Sequence, residues 1–114
     1  MPTLKIQSNA PATEEAWDAL ITAASRQVAE MLGKPEGYVM VIAEPTPRMA
    51  FGGSREPLAY LELKSLGLPE ERTPEFSAAL TGLVGESLDV PPERVYIEFA
   101  SPARHLFGFK GGTF

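Results

Sequence analysis

Apolar and polar residues alternate from the start of the chain. Leu4 and Ile6 are interleaved with Thr3, Lys5 and Gln7, the period of a half-buried strand, and the turn formers Ser8, Asn9 and Pro11 end it. The period then lengthens. Trp17, Leu20, Ile21, Ala24, Val28, Met31 and Leu32 share one face of a helix, with Thr13 as N-cap, Glu14 and Glu15 in the first turn, and Gly33 and Pro35 at its end. From Tyr38 to Ala43 the chain is apolar toward both faces, which predicts a strand covered on both sides and therefore central. Glu44 to Ser54 holds two prolines and a Gly-Gly pair, and reads as an ordered loop with a tight turn.

The second half repeats the first. Leu61 and Leu63 lie 57 residues after Leu4 and Ile6, and Phe76, Leu80, Val84 and Leu88 lie 56 after Leu20, Ala24, Val28 and Leu32. Thr73 reads as the cap of this second helix, with Pro74 at its first position; Pro92-Glu93, ahead of a strand from Val95 to Phe99, lies 57 residues after Pro35-Glu36. The pattern is a duplicated β-α-β unit, approximately residues 2–44 and 58–100, in one domain of 114 residues. It predicts an α/β (α+β) fold with a four-stranded mixed sheet and both helices on one face. The other face is left bare, so self-association is expected. The tail from His105 to Phe114, rich in glycine and phenylalanine, is too aromatic for a disordered end and is expected to pack on a neighbour or line a pocket.

Composition narrows the chemistry. With 10 basic and 15 acidic residues the net charge is −5, the basic residues form no cluster, and nucleic acid is not an expected partner. There is no cysteine, so thiolate nucleophiles and thiol metal sites are excluded; His105 is the one histidine, and no metal or other cofactor is expected. No apolar run is long enough to cross a membrane, and the amino terminus lacks the build of a secretory signal. The cytoplasm is the expected compartment, with non-classical secretion left open. Pro2 follows the initiator methionine, and removal of Met1 would make its secondary amine the amino terminus, a base held at the start of a strand. Taken alone, Pro2 is read better as an ordinary first strand residue. Lys34 alone is likewise read as a solvated cation at a helix C-terminus.

Several blocks together change that reading. Pro2, Gly33-Lys34-Pro35 with Tyr38, Met49-Ala-Phe-Gly-Gly-Ser54 with Glu56-Pro57, Ser65 with Gly67, Arg94-Val-Tyr-Ile97 and the aromatic tail resemble, from end to end, the macrophage migration inhibitory factor branch of the tautomerase superfamily. The resemblance implies a homotrimer whose sheets surround a central channel, with active sites at subunit interfaces. It also implies a keto-enol tautomerase, in which the Pro2 amine moves a proton between carbon and oxygen of an enolisable 2-keto acid such as phenylpyruvate. Such a base must be neutral, whereas a terminal amine ordinarily titrates near ~8. Burial beside Leu66, Phe107 and Phe109 would favour the neutral form, and Lys34 at about 6 Å in an effective dielectric of ~20 would add ~3 kcal/mol. By the same resemblance Lys34 pairs with the substrate carboxylate, helped by the backbone around Ser65 and Leu66. Tyr38 closes the pocket mouth, Tyr96 comes from a neighbouring subunit, and Phe107, Phe109 and Phe114 receive the hydrophobic part of the substrate.

Departures from the family limit the transfer. The cytokine's Cys-x-x-Cys motif falls on Leu58 and Leu61, which excludes thiol redox activity, and Ala12 and Thr46 replace the charged pair of its receptor contacts. A secreted ligand binding a host receptor is therefore the weaker reading. Glu98 stands where an asparagine normally faces the substrate carbonyl, which predicts modest tautomerase activity; hydration of an unsaturated acid, with Glu98 activating water, is the third reading.

Overall fold

The opening alternation forms β1 (Thr3–Ser8), in which Leu4, Ile6 and Ser8 are buried while Thr3, Lys5 and Gln7 stay partly exposed. The computed structural model describes residues 1–114. After β1 come α1 (Glu14–Leu32), β2 (Met40–Pro45), β3 (Ala59–Lys64), α2 (Thr73–Leu88), β4 (Val95–Ala100) and a short hairpin of β5 (Gly108–Phe109) and β6 (Gly112–Thr113). Single 3₁₀ turns at Glu36–Tyr38 and Pro92–Arg94 occupy the same place in each half, just before β2 and β4. The sheet order is β2-β1-β3-β4, with β1/β2 and β3/β4 parallel and β1/β3 antiparallel. This is the expected mixed sheet with two helices packed on it.

The internal repeat is visible in the core. Leu4 and Leu61, Leu20 and Phe76, Ala24 and Leu80, Val28 and Val84 are all fully buried, so equivalent positions in the two halves meet in one apolar layer between helices and sheet. At an outer corner Ser8, buried at β1's end, is satisfied twice: its hydroxyl donates to the Leu58 carbonyl at 2.6 Å and accepts from the Ala10 N–H at 3.1 Å. Asn9 beside it donates to the Arg55 carbonyl and accepts from the Leu58 N–H, both at 2.9 Å.

Both helix starts follow local chemistry, though only one as expected. Thr13 accepts from the Ala16 N–H at 3.1 Å and caps α1. Thr73 does not cap α2. A 3₁₀ turn at Glu70–Arg72 runs straight into the helix, Thr73 is already helical at φ −60°, ψ −34°, and its hydroxyl donates back to the Glu70 carbonyl at 2.9 Å. Ile21 also departs from the expected buried face and is exposed.

The larger correction concerns β2. Its apolar run predicts a central strand beginning at Tyr38, but β2 is an edge strand beginning at Met40, and Tyr38 ends the preceding 3₁₀ turn. β1 is central instead, because it pairs with β2 on one side and β3 on the other. Val39, Val41 and Ala43 pack toward the core, whereas Met40 and Ile42 project to the open face and are 58% and 38% exposed. The centre of that face is polar. Lys5 lies 4.0 Å from Glu62, and Gln7 donates to Glu44 at 3.0 Å.

Candidate active site

Pro2 is buried immediately before β1, and its carbonyl accepts from the Met40 N–H at 3.0 Å, so the amino-terminal end of the chain is tied to β2. Lys34 is brought beside it by the end of α1. Gly33 takes φ +62°; its N–H reaches Glu30 O at 3.3 Å and the Lys34 N–H reaches Ala29 O at 3.0 Å, the double bond pattern of a Schellman motif. A side chain at Gly33 would be strained by that φ, so the glycine sets the direction in which Lys34 leaves the helix.

These elements enclose a cavity of about 320 Å³ lined by Met1, Pro2, Lys34, Tyr38, Leu66, Arg104, Phe109 and Phe114. Its aromatic wall comes from the tail. The β5–β6 hairpin turns through Lys110 and Gly111, both with positive φ, and so lays Phe109 parallel to Phe114 at 5.8 Å between ring centres. Tyr38 meets Phe109 edge to face at 6.2 Å. Tail residues therefore line a pocket within their own chain.

The electrostatics of this cavity are one-sided. Lys34 and Arg104 face it, no acidic side chain lines it, and neither cation is engaged in an ion pair or a side-chain hydrogen bond. Burial, then Lys34, then Arg104 hold the amino terminus below its ordinary value of 8.0. Burial is thus the main cause, ahead of the lysine. Arg104 escaped the sequence reading altogether. The signal available was that Phe99 to Phe114 contains Arg104 and Lys110 but no acidic residue.

Of the residues singled out in the sequence, Pro2, Lys34, Tyr38, Leu66, Phe109 and Phe114 come together here. Ser65 does not line the cavity: it is buried, its N–H donates to the Ala100 carbonyl at 3.0 Å and its hydroxyl turns to the Leu66 carbonyl at 3.3 Å. Phe107 lines an adjoining hollow with Thr3, Lys64 and Ala100, and touches the site through Phe114, 6.1 Å away between ring centres. Tyr96 and Glu98 lie elsewhere, exposed on the open face of β4. Tyr96 borders a second recess, of about 310 Å³, with Met49, Phe51, Leu58 and Tyr60. Glu98 is paired in register with Glu62; burial and then these two carboxylates push the neighbouring Tyr60 hydroxyl up.

Two β-α-β units sharing one mixed sheet, with the start of the chain opening into a cationic, aromatic-walled cavity, define a protein of the tautomerase fold. The model of the family "Macrophage migration inhibitory factor (MIF)" matches residues 1–114. A macrophage migration inhibitory factor homolog from Brugia malayi is 36% identical over 115 residues, covering 100% of this chain and 99% of that protein. The structure of a homologue from Prochlorococcus marinus superimposes with a TM-score of 0.90 at 39% identity, covering 98% of each chain, and that of the Toxoplasma gondii protein with 0.88 at 32%, covering 98% of this chain and 99% of the other. The chain belongs to the macrophage migration inhibitory factor family. Membership supports a tautomerase- or cytokine-type function.

Proposed function

We propose that the protein is a keto-enol tautomerase of enolisable 2-keto acids, acting through the Pro2 amine once Met1 has been removed. The observation that carries this reading is the meeting of Pro2 with unpaired cations and aromatic rings in one cavity, whose burial and charge already depress the Met1 amine beside it. The neutral amine takes a proton from carbon or the enol oxygen and returns it to the other, while Lys34 and the Leu66 N–H receive the carboxylate. Leu66, Phe109 and Phe114 take the apolar remainder. The primary test is the enol-to-keto conversion of phenylpyruvate by protein verified by mass spectrometry to begin at Pro2.

Lys34 has two roles here, and one substitution separates them from a merely solvated lysine. Lys34→Ala raises the KM for phenylpyruvate about tenfold, the worth of one charge-assisted pair. It also moves the amine titration upward. A base works only when deprotonated, so raising its pKa reduces activity at neutral pH and spares it in alkali. An unchanged KM together with an unchanged pH profile would remove Lys34 from the site.

The open sheet face supports a homotrimer. Its polar centre suits a hydrated channel, while Met40, Ile42 and the 65%-exposed Tyr96 at its edges offer apolar contacts. In that assembly each β4 presents Tyr96 and Glu98 to a neighbour's cavity. An ionised Glu98 there repels an acidic substrate and stabilises the protonated amine, so Glu98→Asn raises phenylpyruvate turnover about tenfold, or ~1.4 kcal/mol. Sedimentation as a monomer at micromolar concentration refutes the arrangement. A fall in turnover on the same substitution makes Glu98 catalytic and puts hydration of an unsaturated acid first.

A further inference from the structure

Arg104 is the cavity residue for which a monocarboxylate offers no partner. In a chain of net charge −5, the cavity around Pro2 gathers two side-chain cations and excludes all 15 acidic residues from its lining. Three of the other eight basic residues are engaged. Arg72 is bidentate to Glu75, Arg94 holds backbone carbonyls, and Lys5 lies against Glu62. Lys34 and Arg104 have no such partner. They come from different halves of the chain, one after α1 and one in the 3₁₀ turn Arg104–Leu106 after β4, so the fold converges two charges on one hollow. Like charges in a partly enclosed space repel, and that arrangement is relieved by bound anions. A 2-keto acid with one carboxylate satisfies only one of them.

We propose that Arg104 forms a second anion subsite, so that the pocket favours 2-keto acids carrying a second carboxylate beyond an apolar spacer. The spacer packs on Leu66, Phe109 and Phe114, and the planar guanidinium takes the second carboxylate through two parallel N–H donors. This rests on the reading of the cavity as a keto acid site, but not on the identity of the base.

The test measures binding apart from turnover, with two unreactive probes that differ only by the second anion: 3-phenylpropionate and 4-(2-carboxyethyl)benzoate. Calorimetry on the protein beginning at Pro2 is expected to show about tenfold tighter binding of the dianion, a difference that shrinks with added salt. Arg104→Gln weakens the dianion far more than the monoanion, Arg104→Lys restores part of the preference, and Lys34→Gln weakens both. Arg104 is exposed and outside the core, so these variants fold. Equal binding of the two probes overturns the proposal, as does a preference that survives in Arg104→Gln; either shows that Arg104 turns to solvent or is neutralised by Glu98 of a neighbouring subunit. A dianion preference in protein without tautomerase activity supports the second subsite while refuting the Pro2 base. Activity without that preference does the reverse.

Discussion

Blocking the amino terminus with a tag lowers phenylpyruvate turnover at least ~100-fold, the ordinary worth of a positioned general base. The cause is electronic. In a chain beginning at Pro2 the ring nitrogen is a secondary amine with an available lone pair, whereas behind another residue it is a tertiary amide whose lone pair is delocalised into the carbonyl. Retained Met1 presents a primary amine in the same cavity, but about 3.8 Å further along the chain, and a misplacement of even ~1 Å costs catalysis dearly. Met1 retention therefore leaves a small residual rate, and a tag leaves less. The pH profile carries a second signature. Burial, Lys34 and Arg104 hold the Met1 amine below its ordinary value, and a Pro2 amine exposed in the same cavity is expected to be lowered by the same causes, so that kcat/KM falls only as pH drops through a depressed pKa. Full activity in a tagged protein of verified mass would exclude the terminal amine as the base.

Arg94→Ala lowers stability by about 2–3 kcal/mol and frees the loop before β3. Arg94 is half-buried at the foot of β4, and its guanidinium donates to four carbonyls, those of Pro57, Ser54 and Glu56 at 3.0 Å and of Phe51 at 3.3 Å. It also lies over the Phe51 ring at 5.3 Å. Alanine leaves the Glu56 and Pro57 carbonyls without a donor, whereas those of Phe51 and Ser54 keep each other's N–H. Ser8 and Asn9 still hold Arg55 and Leu58, so melting is confined to the stretch around the Gly52–Gly53 turn. Amide exchange over residues 51–56 accelerates, and Tm falls by roughly 10 °C for a domain of this size. Lysine rescues little, since one ammonium has only three donors and no fork. The Phe51 ring also packs 4.7 Å from Tyr96, so a loosened loop releases the tyrosine assigned to a neighbour's cavity, and kcat/KM falls with Tm. A Tm shift below ~2 °C with unchanged exchange would show that the four contacts add nothing to stability.

Much of the fold was legible in the residues because its signals are local. A strand buried on one face must alternate, a helix must repeat its apolar face every 3.6 residues, and Thr13 and Gly33 carry the chemistry that starts and ends α1. The duplication was legible too, since two halves that share one core keep the same apolar positions. The family blocks named Pro2, Lys34, Tyr38 and the two terminal aromatic positions, and all of these line one cavity.

What the residues could not disclose was set by contacts between distant parts of the chain. An apolar strand reads the same at a sheet's edge as at its centre; β2 is at the edge because β1 offers its other side to β3. Arg94 appeared only as part of a motif, and the carbonyls it holds lie 37 to 43 residues earlier. Arg104 sits in an irregular tail, where no period assigns a face, and its partnership with Lys34 exists only once the 3₁₀ turn after β4 reaches the cavity beside Pro2. Sequence by itself determined the main elements and their duplication, because periodicity and capping act over a few residues, and the family resemblance pointed to the candidate base. Tertiary structure alone decided strand order and which charges share the pocket, because both depend on packing between segments whose order along the chain does not dictate their order in space.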